Sequence, residues 1–166
     1  MPSYLNNKMR LAVDIITAAK ASNLKITCAE SCTGGMLCSA LTDIPGSSEV
    51  FERGFIAYSN KAKIQMLRVS ETSLRLHGAV SEPVALEMAL GAKKDAKADI
   101  AIAVSGIAGP GGSDFKPEGR VSFGICWTDG TASETIEFGA LGRKGVRNAA
   151  TQHALRLICK HLGIAC

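Results

Sequence analysis

Aromatic residues make up only 5% of this 166-residue chain, with a single Trp, and histidine occurs three times. So few imidazoles leave little room for histidine-based acid–base or metal chemistry. His77 stands before Gly78, where its ordinary role is at a helix C-terminus. His153 and His161 read as packing or surface residues of a last helix. No apolar run is long enough to span a bilayer, and no charged start leads into an unbroken apolar core, so neither a membrane segment nor a secretory leader is expected. Six cysteines occur at 28, 32, 38, 126, 159 and 166. None forms C-x-x-C, and their spacing matches no zinc pattern, so no metal site is expected. Reduced thiols, acting mostly as small core hydrophobes in a cytoplasmic protein, fit this usage. The net charge of +4 is mild, and Lys and Arg are scattered apart from Lys93-Lys94 and Arg143-Lys144 with Arg147. That excludes the basic face of a nucleic-acid binder and leaves a small anionic substrate as the economical partner. Neither G-x-x-x-x-G-K-[ST] nor a clean G-x-G-x-x-G follows a strand, which removes the usual nucleoside-triphosphate and dinucleotide folds.

What the chain does have is abundant Ala and Gly and 46% hydrophobic residues, a composition suited to helices packed closely on a sheet. Its length suits a single domain over 1–166. Leu5, Met9, Val13, Ile16 and Lys20 recur near helical spacing, predicting a first helix over 5–21. A strand over 25–28 follows, then a helix capped by Thr33 and running through Leu41. A strand is predicted over 51–58 and a helix beginning at Ser59 or Asn60 and containing Lys61 and Lys63. A short helix over 71–76 precedes a longer one opened by Ser81-Glu82-Pro83 and reaching about Lys97. Ile100 to Val104 is almost purely apolar, as in a strand covered on both faces. A Gly/Pro-rich excursion over 105–119 leads to strands over 121–127 and 133–138, joined by a turn containing Asp129-Gly130. A final helix over 145–162 completes an α/β chain, a three-layer α/β/α sandwich with a mixed sheet.

Chemistry concentrates in a few turns. Ala29-Glu30-Ser31-Cys32-Thr33-Gly34-Gly35 places two nucleophile-capable side chains and a carboxylate where a strand passes into a helix, with backbone N–H groups aimed at one point. Pro45-Gly46-Ser47-Ser48 presents hydroxyls beside a glycine. Tyr58-Ser59-Asn60-Lys61-Ala62-Lys63 is a strand end turning into a helix. Ser105-Gly106-Ile107-Ala108-Gly109-Pro110-Gly111-Gly112 follows a buried strand. Attack on an unactivated amide needs a nucleophile, a base and oxyanion donors. Without a suitable histidine the base would be a lysine whose pKa burial lowers, and Lys63 is placed for this, with Lys61 as a neighbouring like charge. Spacing alone favours Ser31 as nucleophile. Arg143 and Arg147, one helical turn apart, could together grip a phosphate; equally they read as surface charges.

Glu30-Ser31-Cys32-Thr33-Gly34-Gly35, Gly46-Ser47-Ser48, Tyr58-Ser59-Asn60 with Lys63, Gly78-Ala79-Val80-Ser81 and Ser105-Gly106-Ile107-Ala108-Gly109-Pro110 occur in the order and spacing of the CinA C-terminal domain family, which the chain resembles over nearly its whole length. The resemblance implies hydrolysis of the carboxamide of nicotinamide mononucleotide to nicotinic acid mononucleotide and ammonia by a cofactor-free, metal-independent Ser/Lys dyad, within pyridine-nucleotide recycling. Carried onto matching positions, it makes Ser48 the expected nucleophile and Lys63 the base, with Tyr58 and Ser31 assisting; Ser31 stands second as nucleophile and Cys32 third. Glu30, Thr33, Gly34, Gly35, Asn60, Ser105, Gly106, Arg143 and Arg147 are the expected substrate contacts. The family's Gly-rich loop ends Glu-Lys-Pro-Val-Gly, whereas this one is a residue shorter and ends Phe115-Lys116-Pro117-Glu118-Gly119. The implied partner is a small nucleotide, with no nucleic acid and no membrane, and homo-oligomerisation is left open. The rival expectation is a non-catalytic ligand-binding or partner module linked to competence or DNA damage.

Overall fold

The computed structural model describes residues 3–113 and 115–165, with side chains from residue 7 onward. The predicted inward side chain of Leu5, residue 114 of the expected 105–119 loop, Cys166 and the ends of the expected 1–166 domain lie outside the described residues. The first helix, α1 (Ser3–Ala21), leads into strand β1 (Ile26–Glu30) and helix α2 (Met36–Thr42). A 3-10 turn (Ser47–Glu49) precedes β2 (Phe51–Ile56), α3 (Asn60–Leu67), α4 (Glu71–His77) and α5 (Glu82–Ala96). Strands β3 (Ile100–Gly106), β4 (Arg120–Trp127) and β5 (Gly130–Glu137) then lead to α6 (Gly142–Leu162).

The five strands form one mixed sheet in the order β2-β1-β3-β4-β5. β1 runs parallel to β2 and β3, while β4 and β5 continue antiparallel. The α/β/α layering follows from alternation along buried strands. Ile100, Ile102 and Val104 of β3 face one core, shared with Leu11, Ile15, Leu37, Leu41, Ala150 and Ile158 of α1, α2 and α6. Ala101 and Ala103 face the opposite core, with Leu67 of α3 and Val84, Met88 and Ala92 of α5. That second face is built from small residues so that α5 can lie close. A Cβ on Gly124 of β4 would stand 2.4 Å from the Ala85 carbonyl oxygen of α5, and one on Gly91 only 1.9 Å from that of Leu67.

Element boundaries differ from expectation where backbone geometry overrides side-chain pattern. α1 turns a different face inward: Met9 is 61% exposed and Val13 39%, while Leu11, Ala12, Ile15, Ile16 and Ala19 are buried. The larger side chains marked one row of the helix, but the alanines beside Leu11 and Ile15 mark the wider stripe that packs. α2 begins at Met36 rather than Thr33, because Gly34 (φ +57°) and Gly35 (φ +98°) hold a left-handed turn first. β5 starts at Gly130, so the hairpin turn is only Thr128-Asp129. Pairing of Trp127 with Gly130 and Cys126 with Thr131 draws into the ladder residues without a strand-like pattern. α6 begins three residues before Gly145.

Candidate active site

The parallel strands β1, β2 and β3 end together: Glu30 is paired with Ile56 on one side and Val104 on the other. In open α/β sheets this carboxyl edge is where ligands bind. Two further bonds prolong the pairing past the strands, from Ser31 N–H to the Val104 oxygen (2.9 Å) and from Ala57 N–H to the Glu30 oxygen (2.9 Å). They fix Ser31 and Ala57 to the sheet with little freedom.

Below Ser31, Glu30 is completely buried. Its carboxylate accepts the N–H groups of Gly35 (3.0 Å), Leu37 (3.1 Å) and Cys38 (2.7 Å). A negative group on otherwise unsatisfied donors at a helix start is favourable, and it anchors the turn that carries Ser31. Glu30 therefore serves the start of α2, and the expectation of a substrate contact there is corrected: both carboxylate oxygens are engaged inward and the residue is not part of the pocket lining.

On the neighbouring element, Ser59 caps α3 by accepting the Ala62 N–H at 3.0 Å. Helical side chains lean back toward the N-terminus, so Lys63, in the first turn, reaches the carbonyls just before the helix. Its Nζ donates to the oxygens of Ala57 and Tyr58, both at 3.1 Å, and stands 2.9 Å from Ser31 Oγ. Lys63 is 1% exposed and Ser31 7%. Burial lowers the Lys63 pKa from its ordinary value, with a smaller opposing effect from Cys32. Lys61, expected to help by like-charge repulsion, is exposed on the solvent side of α3 and is not among the causes. Three oxygens surround the nitrogen; when the amine is neutral, two N–H bonds can serve the two carbonyls, which only accept, and the lone pair can face the serine hydroxyl.

The dyad opens into a pocket of about 790 Å³. Of the expected site residues, Ser31, Tyr58, Asn60, Lys63, Ser105, Gly106 and Arg143 line it together. Ser105 gives its hydroxyl to the Ala79 oxygen at 2.7 Å. Arg143 bridges the rim, donating to the Gly109 oxygen (2.9 Å) and to the Tyr58 hydroxyl (2.7 Å). The Tyr58 side chain is 58% exposed, so its carbonyl, rather than its phenol, touches the lysine.

Other expectations are not met. Thr33 is wholly buried, and its Oγ1 has no hydrogen-bond partner among the described residues. Arg147 donates to the carbonyls of Cys32 (3.1 Å) and Thr33 (3.0 Å), bracing the turn from behind together with Gly34 and Gly35. It does not reach the pocket beside Lys63, but with Arg143, Lys144, Met36 and Asn148 it lines a second hollow of about 430 Å³, so the two arginines do meet, outside the dyad pocket. Ser48 is exposed in the turn before β2, and the adjoining Val50 oxygen accepts the Ile26 N–H at the start of β1. The length of β1, about 16 Å at roughly 3.3 Å per residue, separates it from Lys63. Cys32 lines the pocket, but burial pushes its thiol up to about 11, which keeps it protonated at neutral pH. The residues that the sequence did not point to are Ala57, which acts through a backbone carbonyl, and the far wall formed by Arg75, His77 and Phe115. A backbone role leaves no side-chain signal, and Arg75 and His77 read as the unremarkable end of a short helix. His153 packs on Phe123 and faces Glu134 at 2.6 Å, and His161 packs on Trp127, both away from the site.

Parallel strand ends, a buried lysine amine 2.9 Å from a serine hydroxyl and an open, polar-lined pocket lie together in an α/β/α protein. The chain belongs to the CinA C-terminal domain family, whose model matches residues 8–162. The nicotinamide-nucleotide amidohydrolase PncC of Escherichia coli (strain K12) is 50% identical over 151 residues, covering 90% of this chain and 92% of that one. Among solved structures, the competence/damage inducible protein CihA from Agrobacterium tumefaciens superposes with a TM-score of 0.90 at 42% identity, covering 95% of this chain and 96% of that one. A CinA superfamily protein from Escherichia coli gives the same TM-score at 35% identity, covering 93% of this chain and 90% of that one.

Proposed function

We propose that the chain is a nicotinamide-nucleotide amidohydrolase, converting nicotinamide mononucleotide to nicotinic acid mononucleotide and ammonia, with Ser31 as nucleophile and Lys63 as general base. The observation that carries this reading is the 2.9 Å approach of a buried lysine amine, already serving two carbonyls, to a serine hydroxyl in a pocket mouth. The identity to PncC supplies the substrate class.

Neutral Lys63 takes the Ser31 proton as Oγ bonds to the carboxamide carbon. Backbone N–H groups of the turn that follows Ser31 meet the tetrahedral oxyanion. The C–N bond then breaks, and Lys63 delivers its proton to the departing nitrogen, releasing ammonia and leaving an ester on Ser31. Water attacks the ester as Lys63 takes one of its protons. The C–O bond to Ser31 breaks, the proton returns to Oγ, and the acid leaves. Asn60, Gly106 and Arg143 contact the rest of the nucleotide and so orient the ring. The product places the reaction in pyridine-nucleotide recycling.

The test is ammonia release from nicotinamide mononucleotide by wild type, Ser31→Ala and Lys63→Met. Wild type should turn over, and each variant should lose at least about 10³-fold while remaining folded. Binding of the nucleotide by wild type without ammonia release would replace the amidase with a non-catalytic sensor.

A further inference from the structure

Glu118 stands at the place where the Gly-rich loop departs from the family pattern, and nothing in the dyad chemistry uses it. Its carboxylate accepts the Gly111 N–H at 2.8 Å through one oxygen and the Gly142 N–H at 2.9 Å through the other. Gly142 is the first residue of α6, whose own N-cap, Leu141, offers no side-chain acceptor. The carboxylate therefore caps α6 from another element and ties the loop to it in the same act. Space for it exists because Gly109 has no side chain: a Cβ there would lie 2.5 Å from the Glu118 carboxyl carbon. The next residue of α6, Arg143, holds the same loop from the pocket side through the Gly109 oxygen. The wall from Gly106 to Gly112 is thus clamped at two points, and both clamps depend on where α6 begins.

We infer that Glu118 is a positioning residue for substrate, fixing the Gly-rich wall and Arg143 in one register while leaving the Ser31–Lys63 pair untouched. This rests on the amidase reading above. Removing the clamp should loosen what holds the nucleotide and spare the chemistry, so binding suffers more than turnover.

The experiment compares wild type, Glu118→Gln and Glu118→Asp. A carboxamide can accept only one of the two N–H groups, and aspartate is one methylene too short to span both. Steady-state ammonia release should show KM raised about tenfold in Glu118→Gln, with kcat within about threefold. Glu118→Asp should fall between it and wild type. Inactivation of Ser31 by phenylmethylsulfonyl fluoride, a probe that needs the dyad but not the wall, should proceed at the wild-type rate. Amide hydrogen exchange should accelerate at Gly111 and Gly142 and stay unchanged at Ser31. A fall in kcat with KM unchanged, slower inactivation, or unaltered exchange would each overturn the assignment. Should Glu118→Gln melt below the assay temperature, Glu118→Asp decides by the same readouts. If wild type itself releases no ammonia, the amidase reading falls; the exchange pattern then still decides whether Glu118 holds the wall.

Discussion

Lys63 carries the sharpest expectations at the scale of single residues. A lysine whose folded pKa is lowered binds fewer protons in the native than in the unfolded state at pH values between the lowered value and the ordinary 10.5. Stability therefore rises with pH across that window and is reduced below it. Lys63→Met removes this dependence, so urea unfolding of the two proteins between pH 7 and 10 should shift in favour of wild type as pH increases. In wild type, kcat/KM should climb along an alkaline limb that reports deprotonation of the same amine, displaced downward from the ordinary lysine range by burial. Cys32, with its thiol pushed up to about 11, is a wall residue in this scheme. Cys32→Ala should keep ammonia release within about threefold of wild type, and a loss of about 10³-fold would transfer the nucleophile's role from oxygen to sulfur.

At the scale of elements, the turn from β1 into α2 depends on a buried carboxylate that is not part of the pocket lining. Glu30→Gln keeps the size of the side chain but replaces a charged acceptor of three N–H groups with an amide that must turn its NH2 toward one of them. A loss of about 1–3 kcal/mol in unfolding free energy is expected, read by denaturant titration. The same turn shows how far the residues could be read without coordinates. That Ser31 sits at a strand-to-helix turn, and that Lys63 enters one turn into a capped helix, were both legible, because caps and small-residue turns leave local signals. Glu30 was read as a ligand contact, since only the path of the following eight residues reveals that its carboxylate points into the protein. The spacing of Arg143 and Arg147 was legible as one side of α6, where the two share a hollow with Lys144, but it does not say that Arg143 alone also reaches the larger pocket.

At the scale of the whole molecule, the layering was legible from the almost purely apolar run of β3 and from helices before and between strands, which together implied a mixed sheet. Which serine meets the lysine was not, because it depends on which end of β1 each turn occupies. Spacing favoured Ser31 and family likeness favoured Ser48, and only the parallel pairing of β1 with β2 separates them. Ser48→Ala should accordingly release ammonia at the wild-type rate, and a loss beyond about tenfold would contradict the separation of the two ends. Among the described residues no group of three His, Cys, Asp or Glu side chains could hold a metal. Turnover should persist undiminished after exhaustive dialysis against EDTA; a loss reversed by divalent cations would refute a purely organic mechanism.

The way Lys63 is enclosed has one more consequence. Two of the directions around its nitrogen end on main-chain oxygens that cannot relay a hydrogen, and the third ends on Ser31. Traffic to and from the amine thus has a single gate, and a nucleotide seated over that gate closes it. Under the proposed amidase chemistry, the hydrogen withdrawn from Ser31 would leave on the departing nitrogen and the one withdrawn from water would return to Ser31, so each half-reaction would close its own balance through that gate.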